Sequence, residues 1–351
     1  MSTSGISELN RGKSLENKTI HGIITRGVGG LYGVRTCENC DEELLCRARG
    51  VFRKEQITPT VGDDVVISHV SGVDDGAVPD DVAREIRKQK KNGVEVDWVI
   101  DAIDARKNLL IRPPVANLDY LFAVIPCASP EPDLLTADKL TVIAENAGIE
   151  TVVIINKTDL NPEKSEEYAA IYETAGYRVF RVSCETGDGV GALRDYIAEI
   201  SSAETAGHVS GAFAGVSGAG KSTLMTALFP DLQLKTGVVS RKTERGRHTT
   251  RHVELYPIAV GEGIFWLADT PGFSMLDFTR FDFFPYDELA GSFREFAECL
   301  GECRYTKCTH LREEGCAVIE KMNSGRVAKS RHDSYIRIYE EQRSIPEWKR
   351  R

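Results

Sequence analysis

An α/β fold, flanked by a small all-β barrel and a short cysteine-rich helical segment, is predicted for this 351-residue chain by three observations. Continuous apolar runs, Leu121 to Ile125 and Thr151 to Ile155, enclose a helical stretch from Ala137 to Ala147, as parallel strands buried on both faces require. A GxxxxGKS sequence, Gly215 to Ser222, falls between a strand and a helix. Five short β-rich runs fill the first third, and four cysteines crowd between Cys299 and Cys316 near the end.

Length alone argues for two or three compact units. A hydrophobic share of 41% and a charged share of 28% exclude a fibrous or disordered chain. The start, Met1 to Lys18, is polar and lacks the apolar core of a signal peptide, and nothing suggests a membrane span. A cytoplasmic protein with a frayed N-terminal tail is therefore expected. In a reducing cytosol, an odd count of nine cysteines points to metal binding rather than disulfides. The net charge of −9 argues against general nucleic-acid binding but leaves room for local basic patches.

In chain order, the β-rich runs are Thr19 to Thr36, Glu43 to Arg53, Asp63 to Val70, Asp97 to Asp104 and Asn108 to Arg112. Five such strands closing on themselves suit an OB-fold, which commonly carries RNA or DNA. A charged insertion, 71–96, separates the third run from the fourth, and its Arg84, Arg87, Lys88, Lys90 and Lys91 read first as a solvated helix face. Cys37 and Cys40 form a CxxC with Cys46 nearby, but the second pair of a zinc ribbon is missing, so they read as loop cysteines. Arg112, Pro113 and Pro114 look like a linker. Beyond it, strands end near Ser183, Gly215 and Asp269, and ligands bind at the carboxyl ends of such parallel strands.

The first chemical motif is Gly215, Val216, Ser217, Gly218, Ala219, Gly220, Lys221 and Ser222. Its glycines let backbone N–H groups wrap phosphates, Lys221 is placed for the β and γ oxygens, and Ser222 is expected to ligate magnesium, with Thr223 beside it at the nucleotide. The second is Asn156, Lys157, Thr158 and Asp159, an NKxD directly after a strand. A carboxylate at Asp159 accepts from guanine N1–H and the 2-amino group, whereas adenine would leave it unpaired. Asn156 would fix the loop and touch the base, while the Lys157 stem covers its face. Ser183 and Cys184, before Glu185, loosely match a loop whose N–H groups meet the guanine oxygen.

The third motif is Asp269, Thr270, Pro271 and Gly272, a DxxG whose Asp would hold magnesium through water and whose Gly272 N–H would sense the γ-phosphate. Between it and the P-loop lies Arg241 to Arg251, a candidate first switch in which Thr250, with Thr249 left open, would close on magnesium. Position 273, where many GTPases carry a water-orienting Gln, is Phe273, which cannot perform that task. His248 is the local group with suitable chemistry, so slow unaided hydrolysis stimulated by a partner is expected. The order NKxD, P-loop, DxxG is a circular permutation of the usual one, and the same site forms when termini move to another loop.

The last constellation is Cys303, Cys308, His310 and Cys316, enough ligands to close one structural tetrahedral zinc site. A segment so short and polar needs its metal to fold. Beyond it, Met322 to Glu341 reads as a helix with Lys321, Arg326, Lys329 and Arg331 near its start, a basic face suited to RNA.

Taken together, these motifs resemble the ribosome small-subunit-dependent GTPase A family over nearly the whole chain. The resemblance rests on Asn156 to Asp159, Gly215 to Ser222, Asp269 to Phe273, the switch Gly246 to Thr250 and the Cys303 to Cys316 module. The linker Arg112 to Asp119 is also similar. It implies an OB-fold over 18–112 after a flexible tail, 1–17, a circularly permuted GTPase domain over 113–285 and a zinc-binding C-terminal domain over 286–351. It further implies GTP hydrolysis stimulated by the small ribosomal subunit and its rRNA, a late role in maturing that subunit, catalysis by His248, and a chain expected to be monomeric. The insertion between Ser71 and Val96 and the Cys184–Glu185 pair depart from the family pattern. Two rivals are a P-loop ATPase or kinase, which would not need NKxD, and a GTP-controlled binding module for another partner such as the large subunit.

Overall fold

The computed structural model describes residues 20–36, 40, 42–69, 96–111, 113–203, 208–230, 253–269 and 285–345. The readings that fall on His248, Thr249, Thr250, Gly272, Phe273, Cys37 and most of the 71–96 insertion lie outside them. The chain divides into two compact units, Met1–Ala105 and Arg106–Arg351.

The first unit is a closed five-stranded barrel. Its strands are β1 (Ile20–Val28), β2 (Leu31–Thr36), β3 (Glu43–Ala48), β4 (Asp64–His69) and β5 (Trp98–Ile103), with a short helix, α1 (Gly50–Lys54), after β3. The order around the barrel is β1-β2-β3-β5-β4, and only the β3/β5 pair is parallel. Closure leaves no open sheet edge, and inward positions such as Ile23, Ile24, Val34, Val65, Ile67 and Ile100 fill the interior. Strand membership departs from expectation. The run Thr19 to Thr36 is two strands, reversed at Gly29 and Gly30, whose positive φ of 63° and 83° suits a tight hairpin. The run Asn108 to Arg112 is not in the barrel at all; its strand β6 (Leu109–Ile111) pairs with β7 (Pro114–Ala116) in the second unit.

The second unit is built on a six-stranded sheet. In chain order come β8 (Tyr120–Pro126), α2 (Leu134–Asn146), β9 (Glu150–Asn156), α3 (Pro162–Thr174), β10 (Arg178–Val182), α4 (Val190–Ala203), β11 (Val209–Ala214), α5 (Lys221–Leu228), β12 (Glu254–Val260) and β13 (Gly263–Asp269). The spatial order is β10-β9-β8-β11-β13-β12, parallel except for the antiparallel edge strand β12. Central strands are apolar throughout because helices cover both faces: Phe122, Val124, Val152, Ile154, Phe213 and Phe265 pack on one side, Ile125, Val153, Ile155 and Tyr172 on the other. Gly211 in β11 is a packing requirement, since a Cβ there would lie 2.5 Å from Phe265 and 2.8 Å from Phe122.

After β13 the described chain resumes at 285 with two 3₁₀ turns, Leu289–Ser292 and Arg294–Cys299, followed by α6 (Ala317–Asn323) and α7 (Lys329–Arg343). The single helix expected from Met322 to Glu341 is thus two. The break falls at Gly325, whose φ of +79° reverses the chain.

Candidate functional site

Asn156 to Asp159 leave the carboxyl end of β9, and Gly215 to Ser222 leave β11 and open α5. These strands are separated in the sheet only by β8, so motifs about sixty residues apart converge. Asn156 is 2% exposed and donates from Nδ2 to the Ala219 carbonyl at 2.8 Å. Its Oδ1 has no hydrogen-bond partner among the described residues, which leaves a buried acceptor at the base-side loop. Lys157 adopts φ +63° and reaches back, donating from Nζ to the carbonyls of Gly218, at 2.8 Å, and of Ser129. Base loop and phosphate loop are therefore tied together by two side chains.

Asp159 accepts a 2.6 Å hydrogen bond from Ser183 Oγ at the end of β10, and Ser183 Oγ in turn accepts from the Thr186 N–H at 3.2 Å. This leaves Asp159 with unused lone pairs while fixing its rotamer. Thr158 N–H donates to the Val182 carbonyl at 3.2 Å, anchoring the NKxD loop to the strand that carries Ser183. Cys184 is half-buried beside Asp159, and burial pushes its thiol pKa up, so it stays neutral there.

In the phosphate loop, Gly215, Gly218 and Gly220 have φ of +147°, +80° and +95°. A Cβ at Gly215 would sit 2.3 Å from the Val124 carbonyl oxygen, and one at Gly220 would sit 2.3 Å from Asn156 Nδ2. Lys221 Nζ donates to the carbonyls of Gly215 and Val216 at 2.7 and 2.9 Å, and burial pushes its pKa below the ordinary lysine value. Ala219 is buried, whereas Ser217, Gly218, Ser222 and Thr223 are exposed at the mouth of the loop. Ser222, on the first turn of the helix that follows β11, carries a hydroxyl, and Asp269, the last residue of the neighbouring strand β13, carries a carboxylate. These hard oxygen donors fit magnesium, for which Thr250 lies outside the described residues.

Cys303, Cys308, His310 and Cys316 offer ligand atoms that all lie within 4.8 Å of one another. His310 Nδ1 is 3.5 Å from both Cys303 Sγ and Cys316 Sγ, and those sulfurs are 4.0 Å apart. A zinc tetrahedron with bonds of about 2.3 Å to sulfur and about 2.0 Å to nitrogen has edges of roughly 3.8 and 3.5 Å. The donor set therefore fits one closed zinc site. Burial lowers the His310 pKa, which keeps the imidazole neutral, the form that binds metal.

Sequence reasoning missed the support around this cluster. The Glu313 carboxylate accepts from the Thr309 N–H and hydroxyl at 2.7 and 2.5 Å, and from the Leu311 and Arg312 N–H groups at 2.9 and 3.0 Å. Burial alone would raise its pKa, but these donors hold it at about 2. From α7, His332 Nε2–H donates to the His310 carbonyl at 2.8 Å and Tyr335 OH to the Thr309 carbonyl at 2.7 Å. Arg331, read from sequence as part of a basic surface, is 0% exposed. It bonds Asp138 at 2.7 Å, Thr141 at 3.0 Å and Glu295 at 2.7 and 3.1 Å, and the carboxylates hold its pKa up against burial. The available signal was a polar residue, Asp138, on the apolar face of α2.

Comparison with known proteins gives a consistent picture. The RsgA GTPase model matches residues 103–279 and the RsgA N-terminal domain model residues 21–78. A small ribosomal subunit biogenesis GTPase RsgA from Ruminiclostridium cellulolyticum is 35% identical over 328 residues, covering 93% of this chain and 95% of that protein. One from a Geobacillus species is 38% identical, covering 91% and 96%. Among solved structures, YjeQ from Thermotoga maritima superposes with a TM-score of 0.71 at 29% identity, covering 94% of this chain and all of the other. YloQ, a circularly permuted GTPase, gives 0.67 at 28%, covering 95% and 98%. No helix among the described residues is long and apolar enough to cross a membrane.

Proposed function

The chain belongs to the RsgA GTPase family, and from that premise we propose that it hydrolyses GTP in the late maturation of the small ribosomal subunit, slowly alone and faster on the subunit. The observation that carries this reading is the pair of ties from the base loop to the phosphate loop, Asn156 to Ala219 and Lys157 to Gly218, both 2.8 Å. They support a reading in which motifs in permuted order build one guanine-nucleotide site.

In this reading Asp159, oriented by Ser183, accepts from guanine N1–H and the 2-amino group, with Thr158 and Cys184 lining the loop. Backbone N–H groups from Gly215 to Ser222 cradle the phosphates, Lys221 turns from the loop carbonyls to the β and γ oxygens, and Thr223 follows at the α5 start. Ser222, Thr250 and Asp269 would hold magnesium, which would supply neutralisation of the charge that develops on the phosphate oxygens. Gly272 meets the γ-phosphate and His248 orients the attacking water. A zinc ion held by Cys303, Cys308, His310 and Cys316 would be structural, because the protein itself offers four ligands. In this reading the barrel, whose strands end at Ile103, precedes the catalytic domain in the sequence, the zinc domain, 286–351, follows it, and both contact rRNA. The protein acts as a monomer in the cytoplasm.

The test is GTP turnover with and without purified small ribosomal subunits, with ATP and a His248→Ala variant alongside. The reading expects slow GTP hydrolysis, strong stimulation by the small subunit, little ATP turnover and loss of stimulated rate in the variant. Equal stimulation by large subunits would assign a different partner, and preference for ATP would remove the guanine site.

A further inference from the structure

Helix α7 grips two parts of the second unit through adjacent residues. His332 and Tyr335 hold the carbonyls of His310 and Thr309, so α7 supports the loop that carries the metal ligands. One residue earlier, Arg331 enters the interior and bonds Asp138 and Thr141 of α2 together with Glu295. Its guanidinium lies 4.8 Å from the Phe293 ring centroid, and Asp138 is also bonded by Tyr172 OH at 2.9 Å. A further tie, Lys139 to Glu341 at 2.6 Å, joins the same two helices. Breaking a buried ion pair leaves an uncompensated charge in the interior, so α2 and α7 are held to one relative position.

The amino end of α2 reaches the nucleotide loops. Residues 127–133 lead from β8 into this helix, and along them Cys127 N–H donates to the Asn156 carbonyl at 2.9 Å. The Ser129 carbonyl accepts from Lys157 Nζ, and Pro130 Cδ lies 3.3 Å from the position a Cβ would take on Gly218. The lead-in to α2 thus forms a wall against both the NKxD lysine and the phosphate loop.

We propose that Arg331 is a positioning residue for guanine-nucleotide binding, acting through Asp138 and α2, and that it links occupancy of the metal cluster to nucleotide affinity. The inference rests on the nucleotide and zinc sites proposed above. Metal bound at Cys303, Cys308, His310 and Cys316 orders the loop that His332 and Tyr335 hold. Arg331 carries that order into α2, and the α2 lead-in fixes Lys157 and the phosphate loop. Linkage makes the effect reciprocal: zinc tightens GDP by the factor with which GDP tightens zinc.

The test uses the full chain. Zinc affinity is measured by equilibrium competition with a chromophoric chelator, with and without saturating GDP. GDP affinity is measured with a fluorescent analogue on zinc-loaded and zinc-stripped protein. We expect each ligand to tighten the other by about fivefold or more and by matching factors. In Arg331→Met, checked for folding by circular dichroism, both factors fall to about one; Arg331→Lys, which keeps a cation beside Asp138, restores part of the coupling. Should Arg331→Met fail to fold, Glu341→Gln, which loosens only the partly exposed Lys139 tie, gives a reduced factor. Binding of both ligands with no mutual effect, or full coupling in the tested variant, overturns the inference alone. Failure of the wild-type chain to bind GDP or zinc overturns the proposed sites as well.

Discussion

Asp138 and Arg331 meet at 2.7 Å with side chains 1% and 0% exposed, an ion pair across 193 residues of sequence that locks α2 to α7. An isolated buried charge is far costlier than the pair, so removing one partner is more damaging than its hydrogen bonds suggest. Asp138→Ala is expected to destabilise the second unit by about 3 kcal/mol, measured by urea unfolding. A change below about 1 kcal/mol would mean that Glu295 alone satisfies Arg331.

Base selectivity is expected to follow Asp159. In Asp159→Asn the side chain presents an amide N–H₂ where guanine also presents donors, so GTP affinity falls by about a hundredfold or more, while xanthosine triphosphate, with a 2-oxo acceptor, gains. Competition between the two nucleotides measures the swap, and unchanged preference for GTP would place the base elsewhere.

Gly220 is where base and phosphate loops touch. Gly220→Ala would drive a methyl into Asn156 Nδ2 and hold a left-handed φ of +95°. Strain of about 1–3 kcal/mol is expected to weaken GDP binding by about tenfold or more, without loss of zinc. Isothermal titration and metal analysis on the same sample separate the two effects.

Cys316 is 1% exposed and its Sγ lies 3.5 Å from His310 Nδ1. Cys316→Ser is expected to lower zinc from about one per chain to near zero by atomic emission, and to expose the 299–345 region to limited proteolysis. Chelation of the wild type should reproduce the proteolysis pattern. Retention of stoichiometric zinc would require another ligand.

Glu313 tests the support of the metal loop. Its pKa is depressed to about 2, below the roughly 4.3 of an unfolded Glu, so its stabilisation is complete above about pH 5 and is lost as pH falls through 2. Glu313→Gln should therefore lower the melting temperature by a constant amount between pH 6 and 8, with no titration in that window. A difference that changes across it would implicate another group.

Much of the molecule was legible in the sequence because its signals are local. The phosphate loop needs glycines at fixed spacing, the guanine loop needs its carboxylate, and the parallel strands need unbroken apolar runs. Four ligand residues within fourteen positions likewise identify the metal cluster. Boundaries were less legible. The two-glycine turn inside Thr19 to Thr36, and the transfer of Leu109–Ile111 from barrel to hairpin, depend on which strand offers a hydrogen-bonding edge.

Sequence by itself thus determined the fold class, the permuted order of nucleotide motifs and the four residues of the Cys/His cluster, since each is a pattern of residue types along the chain. Tertiary structure alone decided that Arg331 is an interior strut rather than part of a basic face, that Glu313 caps the metal loop, and that Ser129 meets Lys157. The physical reason is that a charge reads as solvent-facing along a helix until packing brings its counter-charges to it. Asp138 and Glu295 reach Arg331 only when α2 and the turn at Arg294–Cys299 close around α7.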